Sequence, residues 1–122
     1  MKKTIRGATG VLEVETKEAG AIKVIKLKGQ MDISTSDEIN KIINGYLEQG
    51  GTPKMVIDMS GVAHIDSYGL SVLIFANSSL GKKGGLLKLA GLKGKPRDVF
   101  DLANLTRLFN ICDSEEAALE NF

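Results

Sequence analysis

His64 is the single histidine of the chain, and Ser67 follows it three residues later with Asp66 between them. A serine, a histidine and an acid are the parts of a nucleophilic triad. Three residues this close in sequence can hardly chain their hydrogen bonds in the required order, acid to imidazole to hydroxyl. The elbow G-x-S-x-G is also absent, since Ser67 lies in Asp66-Ser67-Tyr68-Gly69. His64 therefore reads as a solvated loop residue. Cys112 is the only cysteine and has no activating histidine in its neighbourhood, so it reads as a buried thiol at a strand end. One thiol makes neither an internal disulfide nor a structural zinc site. Asp32, Asp58 and Asp66 each fall at or just past a strand end. A magnesium site could be assembled from them, but their spacing does not demand a metal, and loop aspartates commonly serve as turn or cap residues. Gly81-Lys82-Lys83-Gly84-Gly85 is glycine-rich and basic, yet it follows a helix, whereas a phosphate loop follows a strand and opens a helix. Gly91-Leu92-Lys93-Gly94-Lys95-Pro96 follows a strand but lacks the phosphate-loop spacing. No cofactor and no metal are expected, and no catalytic residue is assigned.

The elements that must position these residues are legible from periodicity. Val11 to Glu15 alternates apolar and charged, which predicts a strand with one wet face. Ala19-Gly20 marks a turn, and Ile22 to Leu27 is a second strand, ended by Gly29 and paired with the first as a hairpin. The period then changes. Ser34, Thr35, Ser36 and Asp37 are all N-cap types, and Ile39, Ile42, Ile43, Tyr46 and Leu47 follow at helical spacing. Gly50-Gly51 and Pro53 end that helix. Lys54 to Met59 contains the next strand. After a loop, Asp66 or Ser67 caps a second helix to about Leu80. Leu86 to Ala90 is a strand. Pro96 opens a third helix to about Ala103. Leu108 to Cys112 is a short last strand, and Asp113 or Ser114 caps a terminal helix through Leu119.

The order β-β-α-β-α-β-α-β-α implies an α/β fold: a mostly parallel central sheet, an antiparallel N-terminal edge strand and about four helices. A single domain over 1–122 is expected, with 1–10 as a flexible lead. In such folds functional groups gather at the carboxyl ends of strands. Two segments meet that description, 29–36 and 58–69. On the second helix, steps of three or four residues from Ser67 select Ser71, Phe75, Ser78 and Lys82 as an outward stripe. Leu70, Leu73, Ile74 and Leu80 form the core face. Ser67 thus stands at a helix start, either as a cap alone or at the head of an accessible stripe.

The chain has 122 residues, 43% hydrophobic and 25% charged, an ordinary globular mix. Sixteen Lys+Arg against fifteen Asp+Glu leave +1, so no electrostatic footprint for nucleic acid or an anionic membrane is present. The longest apolar run, Leu70 to Ala76, is broken by Ser71 and too short to span a bilayer. Met1-Lys2-Lys3 is not followed by an apolar stretch, so a cytoplasmic location is expected.

The segment Ile57-Asp58-Met59-Ser60-Gly61-Val62-Ala63-His64-Ile65-Asp66-Ser67-Tyr68-Gly69-Leu70 resembles the signature of the STAS domain family, and within it the bacterial anti-sigma factor antagonists. Leu27-Lys28-Gly29-Gln30-Met31-Asp32 is similar to the family's early strand end. Leu105, Leu108-Phe109, Ile111 and Glu115-Glu116-Ala117 echo its closing pattern. Together these motifs cover about residues 11 to 120 in the family's order. The resemblance implies a binding module with no enzymatic activity of its own. Its unphosphorylated form would bind an anti-sigma factor that is also a serine kinase, releasing a sigma factor for transcription. The serine after the Asp, here Ser67, would be the phosphorylated residue. Asp32, Asp66, Tyr68, Ser71 and Phe75 would be partner-facing. Tyr68 fills a place that is usually small in the family, and Ser71 one where glycine is frequent. A STAS regulatory subunit of a transporter or stress-signalling assembly is the alternative, with a small nucleotide-binding protein behind it. The sequence leaves the oligomeric state open.

Overall fold

The computed structural model describes all 122 residues. Six strands form one sheet, ordered β1 (Lys2–Arg6), β2 (Val11–Ala19), β3 (Ile22–Met31), β4 (Lys54–Ile65), β5 (Leu86–Ala90) and β6 (Asn110–Cys112). The first three are antiparallel, and β3 to β6 run parallel. The helices are α1 (Asp37–Leu47), α2 (Ser67–Lys82), α3 (Gly94–Leu102) and α4 (Glu115–Leu119). Strand alternation decides the layers. Leu12, Ile25, Leu27, Met55, Ile57, Leu87 and Leu89 share a core with Ile39 and Ile43 of α1, Leu73 and Leu80 of α2, and Phe100 of α3. On the opposite face Val24, Val56 and Ala90 pack with Ala118 of α4 in a smaller cluster. No helix is long and apolar enough to cross a membrane.

Several elements depart from the sequence reading. Lys2–Arg6 form a strand on the outer edge of β2, so the antiparallel part has three strands instead of two. Gly29 does not end β3. Its φ is +116°, and a Cβ there would lie 2.1 Å from the Val11 carbonyl oxygen, so a glycine lets β3 continue past β2 to Met31. The expected loop after Met59 is strand as well, because β4 runs on to Ile65 and keeps its backbone groups paired with β3. Gly81 lies inside α2, which ends at Lys82.

Candidate functional site

The continuation of β4 has a geometric consequence. Lys23 pairs with Met55, 32 residues on, but Met31 pairs with Ile65, 34 residues on. Two irregularities, one between Lys26 and Lys28 and one between Gly29 and Gln30, each add a residue to β4. They bring the carboxyl ends of β3 and β4 level. The Asp66 amide then donates to the Met31 carbonyl at 3.0 Å, so Asp32 and Asp66 leave the sheet side by side.

Asp66 has extended backbone geometry and caps α2, its Oδ1 accepting from the Gly69 amide at 2.9 Å. Its Oδ2 accepts from the Ile33 amide at 3.1 Å, which ties the β3–α1 loop to the start of α2. Gly69 is required for this approach: a Cβ would lie 2.7 Å from the Met31 carbonyl oxygen and 2.9 Å from Ile65 Cγ1. Ser67 is therefore the first helical residue instead of the cap, and it is exposed. With Asp66 engaged by two amides, no acid orients His64. That residue sits on β4, paired with Gln30, and not on a loop.

Ser71 and Phe75 continue the exposed stripe, Phe75 at 56% exposure. Ser71 Oγ donates to the Tyr68 carbonyl at 2.6 Å within its own helix. The stripe is wider than expected, because Ile74 is exposed at the boundary while Val72 and Ala76 are buried. The helix meets the sheet along Gly69, Val72, Leu73, Ala76 and Leu80.

Asp32 is turned inward, against the expectation of an outward role, and Tyr68 bonds within the chain. Asp32 is only 8% exposed. Its Oδ1 accepts from the Ser34 amide at 2.8 Å and the Ser34 hydroxyl at 2.6 Å, with the Thr35 hydroxyl at 3.3 Å. The Ser34 hydroxyl above all, helped by the Ser34 and Thr35 amides and the Thr35 hydroxyl against the opposing effect of burial, holds this carboxyl below its ordinary range. Asp32 thus shapes the loop from inside. Tyr68 is half-buried against the core, and its phenol donates to Asp37 at the start of α1. That bond, with burial and the Asp37 charge adding to it, pushes the phenol's pKa up. Tyr68 fastens α2 to α1.

Asp58 does not join this group. It lies on the opposite sheet face, where it accepts from the Ser60 amide at 2.9 Å and borders a cleft with Lys26 and residues 113–116. The three aspartates do not converge. Cys112 is half-buried at the end of β6. Sequence reasoning overlooked Ile33, which is 70% exposed in the tied loop. One apolar side chain within the polar run Asp32 to Asp37 was the available signal.

A mostly parallel sheet with one helical layer of three, a small fourth helix behind, and an Asp-Ser-x-Gly turn at the level ends of two parallel strands defines a STAS-type module. The STAS domain model matches residues 13–118, and the chain belongs to that family. An anti-sigma F factor antagonist of Paenibacillus polymyxa is 22% identical over 108 residues, covering 88% of this chain and 92% of that one. A Thermotoga maritima protein described as an anti-sigma factor antagonist has a crystal structure similar to this fold. Its TM-score is 0.81 at 25% identity, over 88% of this chain and 92% of that one. The Bacillus cell fate determinant SpoIIAA shares the fold in its phosphorylated form. There the TM-score is 0.72 at 20% identity, over 88% of this chain and 96% of that one.

Proposed function

We propose that this protein is a phosphorylation-switched antagonist of an anti-sigma factor. Unphosphorylated, it binds an anti-sigma factor that is also a serine kinase, and the sigma factor is released. The kinase then transfers the γ-phosphoryl group of ATP to Ser67: the bond to the ADP oxygen breaks, the bond to Oγ forms, and the hydroxyl proton passes to a base on the kinase. The phosphorylated protein lets go. The observation that carries this reading is the Ser67 hydroxyl itself, exposed at the first residue of α2 and heading a stripe with Ser71 and Phe75. Family membership and the named role of the Paenibacillus relative support the partner class.

The physics of the switch is local. A phosphate brings about −1.5 to −2 charges near pH 7 and three strong acceptors. The start of a sixteen-residue helix tolerates that charge, since first-turn amides have no partner within the helix and the dipole is positive there. The fold therefore survives modification. A partner surface that accepted a neutral hydroxyl must instead desolvate a dianion beside Asp66. A penalty of about 2.8 kcal/mol weakens binding roughly a hundredfold. In this reading Ser71 and Phe75 touch the partner, while Asp32, Asp66 and Tyr68 hold the surface in shape. The source organism's anti-sigma factor kinases, purified and supplied with ATP, test it by intact mass. One of them should add a single phosphoryl group to the wild type and none to Ser67→Ala. Labelling of Ser67→Ala to the same extent would remove the site assignment.

A further inference from the structure

The β3–α1 loop is held with unusual thoroughness around one residue. On one side of Ile33, the Asp32 amide donates to Thr35 Oγ1 at 3.0 Å, and that hydroxyl donates to the Gln30 carbonyl at 2.7 Å. On the other side, Ser34 donates twice to Asp32 and accepts from the Ala8 amide at 3.0 Å, so the β1–β2 turn braces the loop. The Ile33 amide is fixed to Asp66. The polar groups of Asp32, Ser34 and Thr35 are thus tied to one another, to the sheet and to the β1–β2 turn, and Ile33 is the one apolar side chain of this loop, left 70% exposed. Isolated apolar residues on a surface are ordinary. A β-branched one pinned in place loses little further entropy on docking, which favours it as an anchor.

We infer that Ile33 is a binding anchor for the protein that reads Ser67, inserting into an apolar pocket with a basic rim. The inference rests on the proposed function for the choice of occupant, and the area of a standard interface supports the contact. A standard interface takes about 800 Å² from each partner, a patch about 16 Å in radius. The Ile33 amide lies 3.1 Å from the carboxylate of the residue preceding Ser67, so a partner seated over Ser67 covers Ile33 too. Charge sets the rim: exposed Asp37 and half-buried Asp66 flank the loop. Ile33 is a specificity element separate from the hydroxyl, because it is present in both phosphorylation states.

The test is calorimetric titration of the source organism's purified anti-sigma factors with four unphosphorylated proteins: wild type, Ile33→Ser, Ile33→Leu and Ser67→Asp. Ile33→Ser should weaken binding at least about tenfold, Ile33→Leu should stay within threefold of wild type, and both should melt like wild type, since the side chain is outside the core. If Ile33→Ser binds within twofold of wild type while Ser67→Asp loses binding, the anchor is refuted and the switch stands. If Ser67→Asp binds like wild type while Ile33→Ser is weakened, the anchor stands and the switch fails. If no anti-sigma factor binds the wild type, both fall.

Discussion

Removing the Asp66 carboxylate gives a quantitative test of how the site is held. Asp66→Ala deletes two bonds at once, the α2 cap to Gly69 and the tie to Ile33. Loss of an N-cap aspartate costs about 1 kcal/mol, and loss of the charge-assisted hydrogen bond from the Ile33 amide adds about 1 kcal/mol. A chain of 122 residues has an unfolding entropy that turns the combined 2 kcal/mol into a fall of about 8 °C in the melting midpoint. Asp66→Asn separates the two contributions. Asparagine caps helices as well as aspartate does, but one side of its amide donates and would face the Ile33 N–H. It should therefore keep the cap and lose the tie, for about 1 kcal/mol. Urea unfolding at pH 7 reads both, provided the slope with denaturant is unchanged. The ordering wild type, Asn, Ala is the expected result. If both variants fall within 0.5 kcal/mol of wild type, a limit of about the scatter for surface changes, the double role of Asp66 is wrong.

Two further outcomes follow from groups elsewhere in the fold. Lys88, only 6% exposed, donates to the carbonyls of Ala118, Glu120 and Asn121 at 2.9, 3.2 and 3.4 Å, with the Phe122 ring 4.4 Å away. Lys88→Met keeps the aliphatic packing but strands those carbonyls, so stability should fall by about 2 kcal/mol and residues 118–122 should become sensitive to carboxypeptidase; unchanged protection would refute the role of Lys88 in holding the C-terminal segment. The folded Asp32 carboxyl titrates below its ordinary value, chiefly through the Ser34 hydroxyl. It therefore binds its proton less readily folded than unfolded, and its contribution is present above about pH 4 and lost as pH falls through the folded value. The stability gap between wild type and Asp32→Asn should narrow as urea unfolding is taken from about pH 6 towards pH 3; a constant gap would contradict the assigned direction.

Local chemistry made much of this fold legible. The β5 range Leu86–Ala90 follows from its apolar run, and the start of α4 from Ser114, whose hydroxyl accepts from the Ala117 amide at 3.1 Å. The buried side of α1, Ile39, Ile43 and Leu47, follows from helical spacing. The position of Ser67 at a helix start was equally readable, because capping and periodicity involve residues within a few places of one another. What the sequence could not place depends on pairing between distant segments. An edge strand such as β1 has almost no apolar signature, since all its side chains but that of Ile5 face water and its hydrogen bonds go to β2. Ile74 fits an apolar stripe, but the helix meets the sheet along a neighbouring one.

The amino-acid sequence by itself determined the order of elements from β2 onwards, the cap candidates of α2 and α4, and a serine after an aspartate at a helix start. Tertiary structure alone decided that Asp32 turns inward, that Ile33 is left outside, and that Asp66 joins the β3–α1 loop to the start of α2. The physical reason is register. Two added residues in β4 slide it along β3 until the strand ends are level, and hydrogen bonds between residues 33 apart then fix which side chains meet.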